Sequence, residues 1–357
     1  RVGGDEFNIL VIGDDIISSV EKTAQKCFSE IQRDFLVKGR IFRVSVSIGY
    51  AIAKHQTTSC EELVRQADVA MYQAKANKAG EPVVYREEYE SSLFRNRKID
   101  QALRAALTAG EVKVHYQPIV HSQTGQMELA EALVYWNSTE FGRMSPESFI
   151  PVAEESGLIN ILGTYVFRRV CEDMLDRPDL KVSVNLSPVQ LLDPMLTEDL
   201  LAIAQEIGID IRRIELELTE RIVVSHPELA REKLNALKSA GFGIVLDDFG
   251  TGFSSIGYLR QLPFDKLKID RSFVMGIEQN VEALNLMESI ASLGRALDLT
   301  VVAEGVETTE QANLAQLAGC NQIQGFLFSG PISIEDLSRW LRPPVQKVQT
   351  IARLLSA

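Results

Sequence analysis

The sequence predicts an α/β protein: a TIM-like (β/α)8 barrel with one antiparallel strand, preceded by a smaller, partial α/β domain. The chain has 357 residues, which suits a barrel of roughly 250 residues plus a shorter piece. From residue 112 onward, strand patterns alternate with helix patterns, as in a parallel sheet covered by helices. Hydrophobic residues make up 45% of the chain, which is enough to build full cores.

The first region, residues 1–86, carries a short α/β pattern. It opens with Gly3-Gly4-Asp5-Glu6-Phe7 and continues as an apolar run. Helical periodicity and strand alternation then follow each other along the region. The predicted elements are a helix, a strand and a second helix, at Ile16–Phe35, Phe42–Tyr50 and Cys60–Ala76.

The barrel is predicted over residues 111–345, after a linker helix at 87–110 that is rich in charge and alanine, and before a tail at 346–357. Its strands are predicted at Val112–Val120, Met127–Trp136, Val182–Leu186, Ile214–Thr219, Gly243–Asp248, Leu267–Ile269, Thr300–Glu304 and Gln324–Phe328. Helices are predicted between most of them, at Pro146–Ile161, Pro188–Ile207, Pro227–Ala240, Val281–Leu297 and Thr308–Leu317. A short connection containing Gly125 joins the first two strands, which predicts a hairpin and hence one antiparallel strand.

Charge and composition exclude several classes of function. The net charge of −12 disfavours a nucleic-acid polymer as partner, because such partners need a basic surface. The four cysteines are far apart and lack metal-binding spacing, so we expect reduced, buried thiols in a cytoplasmic protein. The chain has no apolar window of about 18 residues and no leader, so no membrane segment is expected in it. It begins with Arg1, so we also expect that it is the cytoplasmic part of a longer sensor protein.

Polar residues on the predicted strands follow one parity. In Val182-Ser183-Val184-Asn185 and in Ile214-Glu215-Leu216-Glu217, apolar residues alternate with polar ones. Because side chains of a strand alternate between faces, one face suits the outer helices and the other carries carboxylates and amides into the barrel. A single glutamate on a strand is usually solvated, but several inward acids are costly unless they are paired or bind a metal. Parity places Glu215 one layer below Glu217, with no partner evident from the sequence.

Several of these polar residues fall at strand ends. Active sites of such barrels lie at the C-terminal ends of the strands. The residues predicted at or near those ends are Glu131, Asn185, Glu217, Asp247, Lys268 and Glu304. Asp248 follows Asp247, and Gly250 and Gly252 come next, so we expect the strand to stop and both carboxylates to turn toward the barrel mouth. Oxygen ligands of this kind suit Mg²⁺ or Mn²⁺, whereas the four histidines form no zinc pattern.

Short motifs follow one another between about Ile99 and Pro343. In chain order they are Tyr116-Gln117-Pro118, Glu131-Ala132-Leu133 with Trp136, Phe149-Ile150-Pro151 with Ala153-Glu154-Glu155, Val184-Asn185-Leu186-Ser187, Glu217-Leu218-Thr219-Glu220, Asp247-Asp248-Phe249-Gly250-Thr251-Gly252, Lys268-Ile269-Asp270, Ala303-Glu304-Gly305-Val306-Glu307 and Gln324-Gly325. Together they resemble the EAL family of cyclic di-GMP phosphodiesterases, whereas Glu-Ala-Leu by itself would carry no weight. The resemblance implies metal-dependent hydrolysis of cyclic di-GMP to linear pGpG in bacterial second-messenger signalling.

The first region resembles the second half of a GGDEF, or diguanylate cyclase, domain. The matching segments are Gly3-Gly4-Asp5-Glu6-Phe7, Ser45–Gly49 and Ala67-Asp68 with Ala74-Lys75. The upstream metal-binding aspartate and phosphate contacts of that family have no counterpart in this sequence. Metal-assisted phosphoryl transfer needs the complete ligand set, so this piece is not expected to synthesise cyclic di-GMP.

The resemblance to the EAL family also implies roles for single residues. Of two Mg²⁺ or Mn²⁺ ions, one would be held by Glu131, Asn185, Glu217 and Asp247, and the other with the help of Asp247, Asp248 and Glu304. Three residues would act in catalysis: Glu304 by accepting the proton of the attacking water, Lys268 by hydrogen-bonding the water or the phosphate, and Glu220 by steadying the loop after Asp248. The residues beside the bound nucleotide would be Gln117, Leu133, Tyr135, Asp270, Glu307 and Gln324.

Tyr135 departs from the family pattern, because the family usually has an arginine there that grips a ligand phosphate. A hydrogen bond to a charged group contributes about 1.5–3 kcal/mol, or roughly 10- to 150-fold in affinity, and a tyrosine recovers only part of it. Two functions therefore stay open: a working phosphodiesterase, and a weak or inactive receptor that binds cyclic di-GMP and signals through a partner. The pairing of EAL barrels near the loop at residues 247–257 further implies a homodimer.

Overall fold

The computed structural model describes residues 1–37, 40–42, 44–53, 59–76, 80–220, 227–250 and 259–340. The chain forms two compact units, Arg1–Gln101 and Ala102–Ala357. Among the described residues, no helix has both the length and the apolar character needed to cross a membrane. All four cysteines are free; Cys171 and Cys320 are buried, whereas Cys60 is exposed and Cys27 half-buried.

The first unit combines helices with short strand pairs. Its helices are α1 (Ile16–Ile31), α2 (Cys60–Ala76) and the first part of α3 (Glu87–Ala109). Strand β1 (Phe35–Val37) pairs antiparallel with β2 (Arg40–Phe42), and β3 (Gly49–Tyr50) pairs parallel with β4 (Val83–Val84). Gly49 lets α2 pack directly on β3, because a Cβ on this residue would lie 1.9 Å from the backbone nitrogen of Met71.

Two predicted elements of this unit are wrong in extent. The helix predicted at Ile16–Phe35 ends at Ile31, and Phe35 begins a strand. The strand predicted at Phe42–Tyr50 is not continuous, since residues 44–48 lie outside any strand. A strand needs a neighbour for its backbone groups, and in the described residues β4 reaches only Gly49 and Tyr50. The helices predicted at 60–76 and 87–110 are present.

The second unit is a closed barrel of eight strands. They are β5 (Val112–His121), β6 (Met127–Ser138), β8 (Val182–Asn185), β9 (Ile214–Thr219), β10 (Gly243–Phe249), β11 (Lys266–Ile269), β12 (Thr300–Ala303) and β13 (Gln322–Gln324), while β7 (Gly142–Met144) pairs with β6 outside the barrel. Strand β5 runs antiparallel to β6 and β13, and the other barrel strands are parallel. This confirms the predicted barrel with one antiparallel strand. The last strand lies two residues earlier than predicted at its start and ends at Gln324.

Helices follow most of the parallel strands. In the described ranges they are α4 (Pro146–Ser156), α5 (Leu158–Met174), α6 (Pro188–Leu191), α7 (Leu196–Ile207), α8 (Pro227–Ala240), α9 (Arg271–Val274), α10 (Val281–Ala296), α11 (Thr309–Ala318) and α12 (Ile334–Leu337). The helix predicted at 146–161 is instead two helices, because Gly157 has a φ of 74° and ends the first. The helix predicted at 188–207 is also broken, and Pro194, which lacks an N–H, lies in the break.

The barrel interior contains the polar layers that strand parity predicted. Leu216 and Leu218 are buried on one face of β9, while Glu215 and Glu217 lie on the other. In the lower layer, Lys266 Nζ lies 2.9 Å from Glu215 Oε1, which supplies the partner that the sequence left unnamed. Gly243 on the intervening strand leaves room for this pair, since its Cβ would lie 2.8 Å from Glu215 Cγ.

Strands β5 and β6 extend beyond the barrel mouth as an antiparallel ribbon. In the described residues, β13 pairs with β5 only at residues 119–121, and β8 pairs with β6 only at residues 130–132. Past that level, residues 112–115 pair with residues 133–136, and β7 pairs with residues 136–138 at the edge of β6. We call this ribbon, residues 112–116, 133–138 and 142–144, the arm.

Gly325 allows two backbone segments to approach each other closely at the end of β13. A Cβ on Gly325 would lie 2.0 Å from the carbonyl oxygen of Val306, whose N–H donates to the carbonyl of Gln324. Because backbone cannot yield as a flexible side chain does, Gly325→Ala should destabilise the barrel by about 2 kcal/mol or more. Urea unfolding followed by tryptophan fluorescence measures this, since both tryptophans, Trp136 and Trp340, belong to the second unit.

The matched control is Gly330→Ala, five residues further along. Its Cβ would meet only the Phe326 ring, at 3.4 Å, and we expect a near-neutral effect. Equal unfolding midpoints for the two variants would contradict the packing described at Gly325.

Candidate functional site

One buried ammonium lies among the acids of the upper barrel layer. Lys268 on β11 is 1% exposed, and its Nζ contacts four carboxylates. The distances are 3.1 Å to Glu131 Oε2, 2.7 Å to Glu217 Oε2, 3.4 Å to Asp247 Oδ1 and 2.6 Å to Glu304 Oε1. The acids come from β6, β9, β10 and the residue after β12, so four separate segments converge on one cation. We call these five residues the acid cluster.

Amide side chains continue the network from Glu131. Asn185 Nδ2 donates to Glu131 Oε1 at 2.7 Å, and Gln324 Nε2 donates to Glu131 Oε2 at 2.8 Å. Gln324 Nε2 also lies 3.2 Å from Gln117 Oε1, and Gln117 Nε2 donates to the carbonyl of Ser329. These bonds fix the orientation of the Glu131 carboxylate and place Asn185, Gln324 and Gln117 beside the acid cluster.

A bulge in β10 explains how the side chains of two successive aspartates lie close to each other. The register between β10 and β11 shifts between Leu246 and Phe249, and Asp248 has a φ of 55°. A bulge re-aims a side chain, and aspartate tolerates the left-handed region better than most residues. One oxygen each of Asp247, Asp248 and Glu304 consequently lies within 4.8 Å of the others. Both carboxylates thus turn as predicted, but within the strand rather than beyond its end.

Burial and mutual repulsion make the acids unequal. Burial raises the pKa of Glu217, and the charge of Glu131 raises it further. Burial also raises the pKa of Asp247 and raises that of Glu304 to about 8, although Lys268 opposes both shifts. Burial acts on Glu131 too, but Lys268 and two amide donors outweigh it and lower its pKa. Burial opposes the charge of Lys268, yet the four carboxylates hold its pKa well above the usual value.

The acids outnumber the cation that they surround. With Asp248 included, five carboxylates and one ammonium carry a net charge of −4 when all are ionised. The raised pKa values mean that the cluster relieves part of this charge by holding protons. Carboxylate and amide oxygens in this number and spacing are the ligands that Mg²⁺ and Mn²⁺ prefer. The side chains present therefore fit a divalent cation.

Five predicted site residues lie apart from this network, and one of them, Tyr135, lies on the arm. The Asp270 carboxylate caps the N-terminus of α9, Glu307 is exposed, and Leu133 is half-buried on β6. Glu220 is buried, and its carboxylate has no hydrogen-bond partner among the described residues. Within the described part of the chain, no hydrogen bond or ion pair links these side chains to Lys268.

Tyr135 lies on the arm in a group that the sequence did not predict. Its ring centroid is 4.7 Å from that of His115, and the Arg143 guanidinium carbon is 5.2 Å from the Tyr135 centroid. Arg143 belongs to β7, a strand of three residues, which is too short for periodicity to indicate. A single sequence therefore gives no signal that Arg143 and Tyr135 meet.

The burial of Lys268 predicts a large loss of stability when its charge is removed. In metal-free protein at pH 8, Lys268→Met should cost about 3–5 kcal/mol, because it leaves buried carboxylates uncompensated. The control Lys266→Met lies on the same strand and interior face but has one carboxylate partner and should cost less. Urea unfolding in EDTA measures both, and a smaller loss for Lys268→Met than for Lys266→Met would contradict the network.

The raised pKa of Glu304 predicts how metal-free stability depends on pH. In the unfolded chain a glutamate is ionised above about pH 5, whereas the folded protein keeps the proton on Glu304 up to about pH 8. The folded state therefore binds more protons between these values, so raising the pH through this window should lower the free energy of unfolding. Glu304→Gln removes the titration and should flatten this part of the profile.

Denaturant midpoints in EDTA from pH 5 to 9 test this, with Glu307→Gln, an exposed glutamate of the same segment, as control. A Glu304→Gln profile as steep as that of the wild type would show that Glu304 is not the titrating group.

Comparisons with known proteins agree with this geometry. Residues 100–331 match the family model described as EAL domain, and residues 1–81 match the model described as diguanylate cyclase, GGDEF domain. The chain is 34% identical over 346 residues to the cyclic di-GMP phosphodiesterase PdeR of Escherichia coli K12, which covers 96% of this chain and 52% of that protein. It spans only 40% and 42% of the relatives from Sinorhizobium fredii and Caulobacter vibrioides.

Solved structures of EAL proteins are similar to this chain in fold. The structure of PaMucR phosphodiesterase in complex with c-di-GMP has a TM-score of 0.65 at 35% identity and covers 67% of this chain and 99% of that one. The EAL enzyme Bd1971, in a form with cAMP and cyclic-di-GMP bound, has a TM-score of 0.69 at 29% identity and covers 80% of this chain and 77% of that one. Because the EAL model covers more than half of the chain, this protein belongs to the EAL domain family, with a GGDEF-family segment at its N-terminus.

Proposed function

We propose that this protein hydrolyses cyclic di-GMP to linear pGpG in bacterial second-messenger signalling. The observation that carries the proposal is the convergence of Glu131, Glu217, Asp247 and Glu304 on one buried lysine at the barrel mouth. The family supports the choice of substrate, since the relative from Escherichia coli is named a cyclic di-GMP phosphodiesterase and PaMucR was solved with c-di-GMP.

The acid cluster would hold two divalent cations, Mg²⁺ or Mn²⁺. Glu131, Asn185, Glu217 and Asp247 would hold one, and Asp247, Asp248 and Glu304 would help to hold the other. Two divalent cations balance the formal charge of −4 that the carboxylates and Lys268 carry. When bound, such ions acidify a water molecule and stabilise negative charge on a leaving oxygen.

The chain's own side chains would position the reactants and move the proton. The water oxygen forms a bond to phosphorus, and the phosphorus–oxygen bond to a ribose oxygen breaks and opens the ring. Glu304 would accept the proton of the water, for which it must first be ionised, and the leaving ribose oxygen ends protonated in pGpG. Lys268, whose Nζ lies 2.6 Å from Glu304 Oε1, would hydrogen-bond the water or the phosphate. Glu220 would steady the loop after Asp248.

Six residues would contact the nucleotide: Gln117, Leu133, Tyr135, Asp270, Glu307 and Gln324. The hydrogen bonds of Gln117 and Gln324 beside Glu131 support the first and last of these assignments. We place the activity in the cytoplasm because the widely spaced cysteines form no disulfide or metal framework.

Tyr135 favours a second candidate function, a receptor that binds cyclic di-GMP without cleaving it. The residue lies where the family usually has a phosphate-binding arginine, and its ring contacts His115 and Arg143. A receptor would bind the nucleotide and release no pGpG at any concentration of Mg²⁺ or Mn²⁺. If the protein both binds cyclic di-GMP and releases pGpG, it is the enzyme and not the receptor.

Incubation of the protein with cyclic di-GMP and Mg²⁺ or Mn²⁺ should release pGpG, measured by chromatography. Glu131→Gln should abolish the release, because Glu131 joins Lys268, Asn185 and Gln324 in one network. The control is Glu128→Gln on the same strand, whose exposed side chain should leave turnover near the wild-type value. Equal turnover in both variants would rule out the metal site described here.

We also propose that the protein forms a homodimer. The family habit of pairing near the loop at residues 247–257 supports this, although residues 251–258 lie outside the described part of the chain. Light scattering at micromolar concentration should give twice the monomer mass of 39.7 kDa, and a monomer would count against the proposal.

A further inference from the structure

The arm carries a basic and aromatic group on the same face as the acid cluster. The register pairs Gln117 with Glu131 and Lys113 with Tyr135, and His115 lies between the two rows on β5. Alternate residues of a strand share a face, so all five side chains project from one side of the ribbon. Tyr135 is four residues beyond Glu131, or about 13 Å along β6.

Arg143 joins this group from the neighbouring strand. Its guanidinium carbon is 5.2 Å from the centroid of the Tyr135 ring, whose other neighbour is the imidazole of His115. An aromatic face attracts a guanidinium and leaves the N–H donors at its edge available. Arg143 is exposed, and within the described ranges it forms no ion pair with a carboxylate. The Tyr135 ring thus contacts the Arg143 guanidinium, whose N–H groups can still donate to a ligand.

The charge of the surroundings makes an anion the fitting partner for this cation. The chain carries a net charge of −12, and the acid cluster lies on the same face of the same strands. A phosphodiester anion that approaches this end of the barrel meets repulsion from the acids. A guanidinium on the arm offsets that repulsion and offers two parallel N–H donors to phosphate oxygens.

We propose that Arg143, oriented by the Tyr135 ring, binds a phosphate group of the nucleotide ligand. The identity of the ligand, cyclic di-GMP, rests on the proposed function. Tyr135 then also acts as a positioning residue, because its ring lies against the Arg143 guanidinium.

Calorimetric titration with cyclic di-GMP, in EDTA and separately with Mg²⁺, tests the assignment. Arg143→Ala should weaken binding by about 10- to 150-fold, the range expected for a lost hydrogen bond to a charged group. The control Lys181→Ala removes one exposed positive charge just before β8, at the opposite end of the strands, and should bind like the wild type. Tyr135→Phe keeps the ring and should lose less affinity than Tyr135→Leu, which removes it.

Three results would overturn the proposal. One is an Arg143→Ala affinity equal to that of Lys181→Ala. Another is a Tyr135→Phe affinity no higher than that of Tyr135→Leu, which would show that the ring does not act on Arg143. The third is wild-type protein that binds no cyclic di-GMP with or without metal, which would also remove the proposed function.

Turnover separates this proposal from the proposed function. Wild-type binding without any pGpG release would overturn the hydrolysis and leave the Arg143 titration valid. Where release occurs, Arg143→Ala should raise KM and leave kcat near the wild-type value, because a phosphate contact far from the reacting bond is equally strong in the ground and transition states. A loss confined to kcat would contradict a binding role.

Discussion

A single positive charge, on Lys268, lets the barrel concentrate acids in its interior. Its Nζ reaches carboxylates from four segments, and the side chain is 1% exposed. Neither the ammonium nor the carboxylates could be buried singly at a tolerable cost. One lysine cannot neutralise all of these carboxylates. Burial and the remaining negative charge raise the pKa of Glu304 to about 8 and also raise the pKa of Glu217. The same excess makes the site suitable for divalent cations.

The surrounding fold serves this cluster in distinct ways. Below it, the Glu215–Lys266 pair fills the next interior layer, with Gly243 leaving the space for it. The bulge in β10 brings Asp248 to the side of Asp247 and Glu304. The first feature depends on the missing Cβ of Gly243, and the second depends on the positive φ of Asp248.

On the proposed assignments, chemistry and ligand affinity would be located on different parts of the barrel. The acid cluster lies among the parallel strands, whereas Tyr135 and Arg143 lie on the arm that projects past them. Exchange of an arm residue would therefore alter affinity without disturbing the proposed metal ligands. This separation would make a working phosphodiesterase compatible with the tyrosine at position 135.

Sequence periodicity determined the fold class and most of the acid cluster, because both depend on local patterns. The alternation of strands and helices indicates the barrel, and parity along β9 places Glu217 inside it, since faces alternate whatever the strand packs against. Motifs of the EAL family supplied the rest of the predicted residues. Element ends were less accurate: the helix predicted at 16–35 and the strand at 42–50 both depend on neighbours that local pattern does not specify.

The tertiary structure alone decided which side chains meet. Lys266 lies 51 positions from Glu215 in the chain, and their contact exists only because two parallel strands face each other across a glycine. Arg143 meets Tyr135 because three residues add to the edge of β6, and the bulge that turns Asp248 arises from a register shift against β11. Such contacts are set by strand pairing between distant segments. Periodicity within one segment predicts the face on which a side chain lies, but it does not predict which residue that side chain contacts.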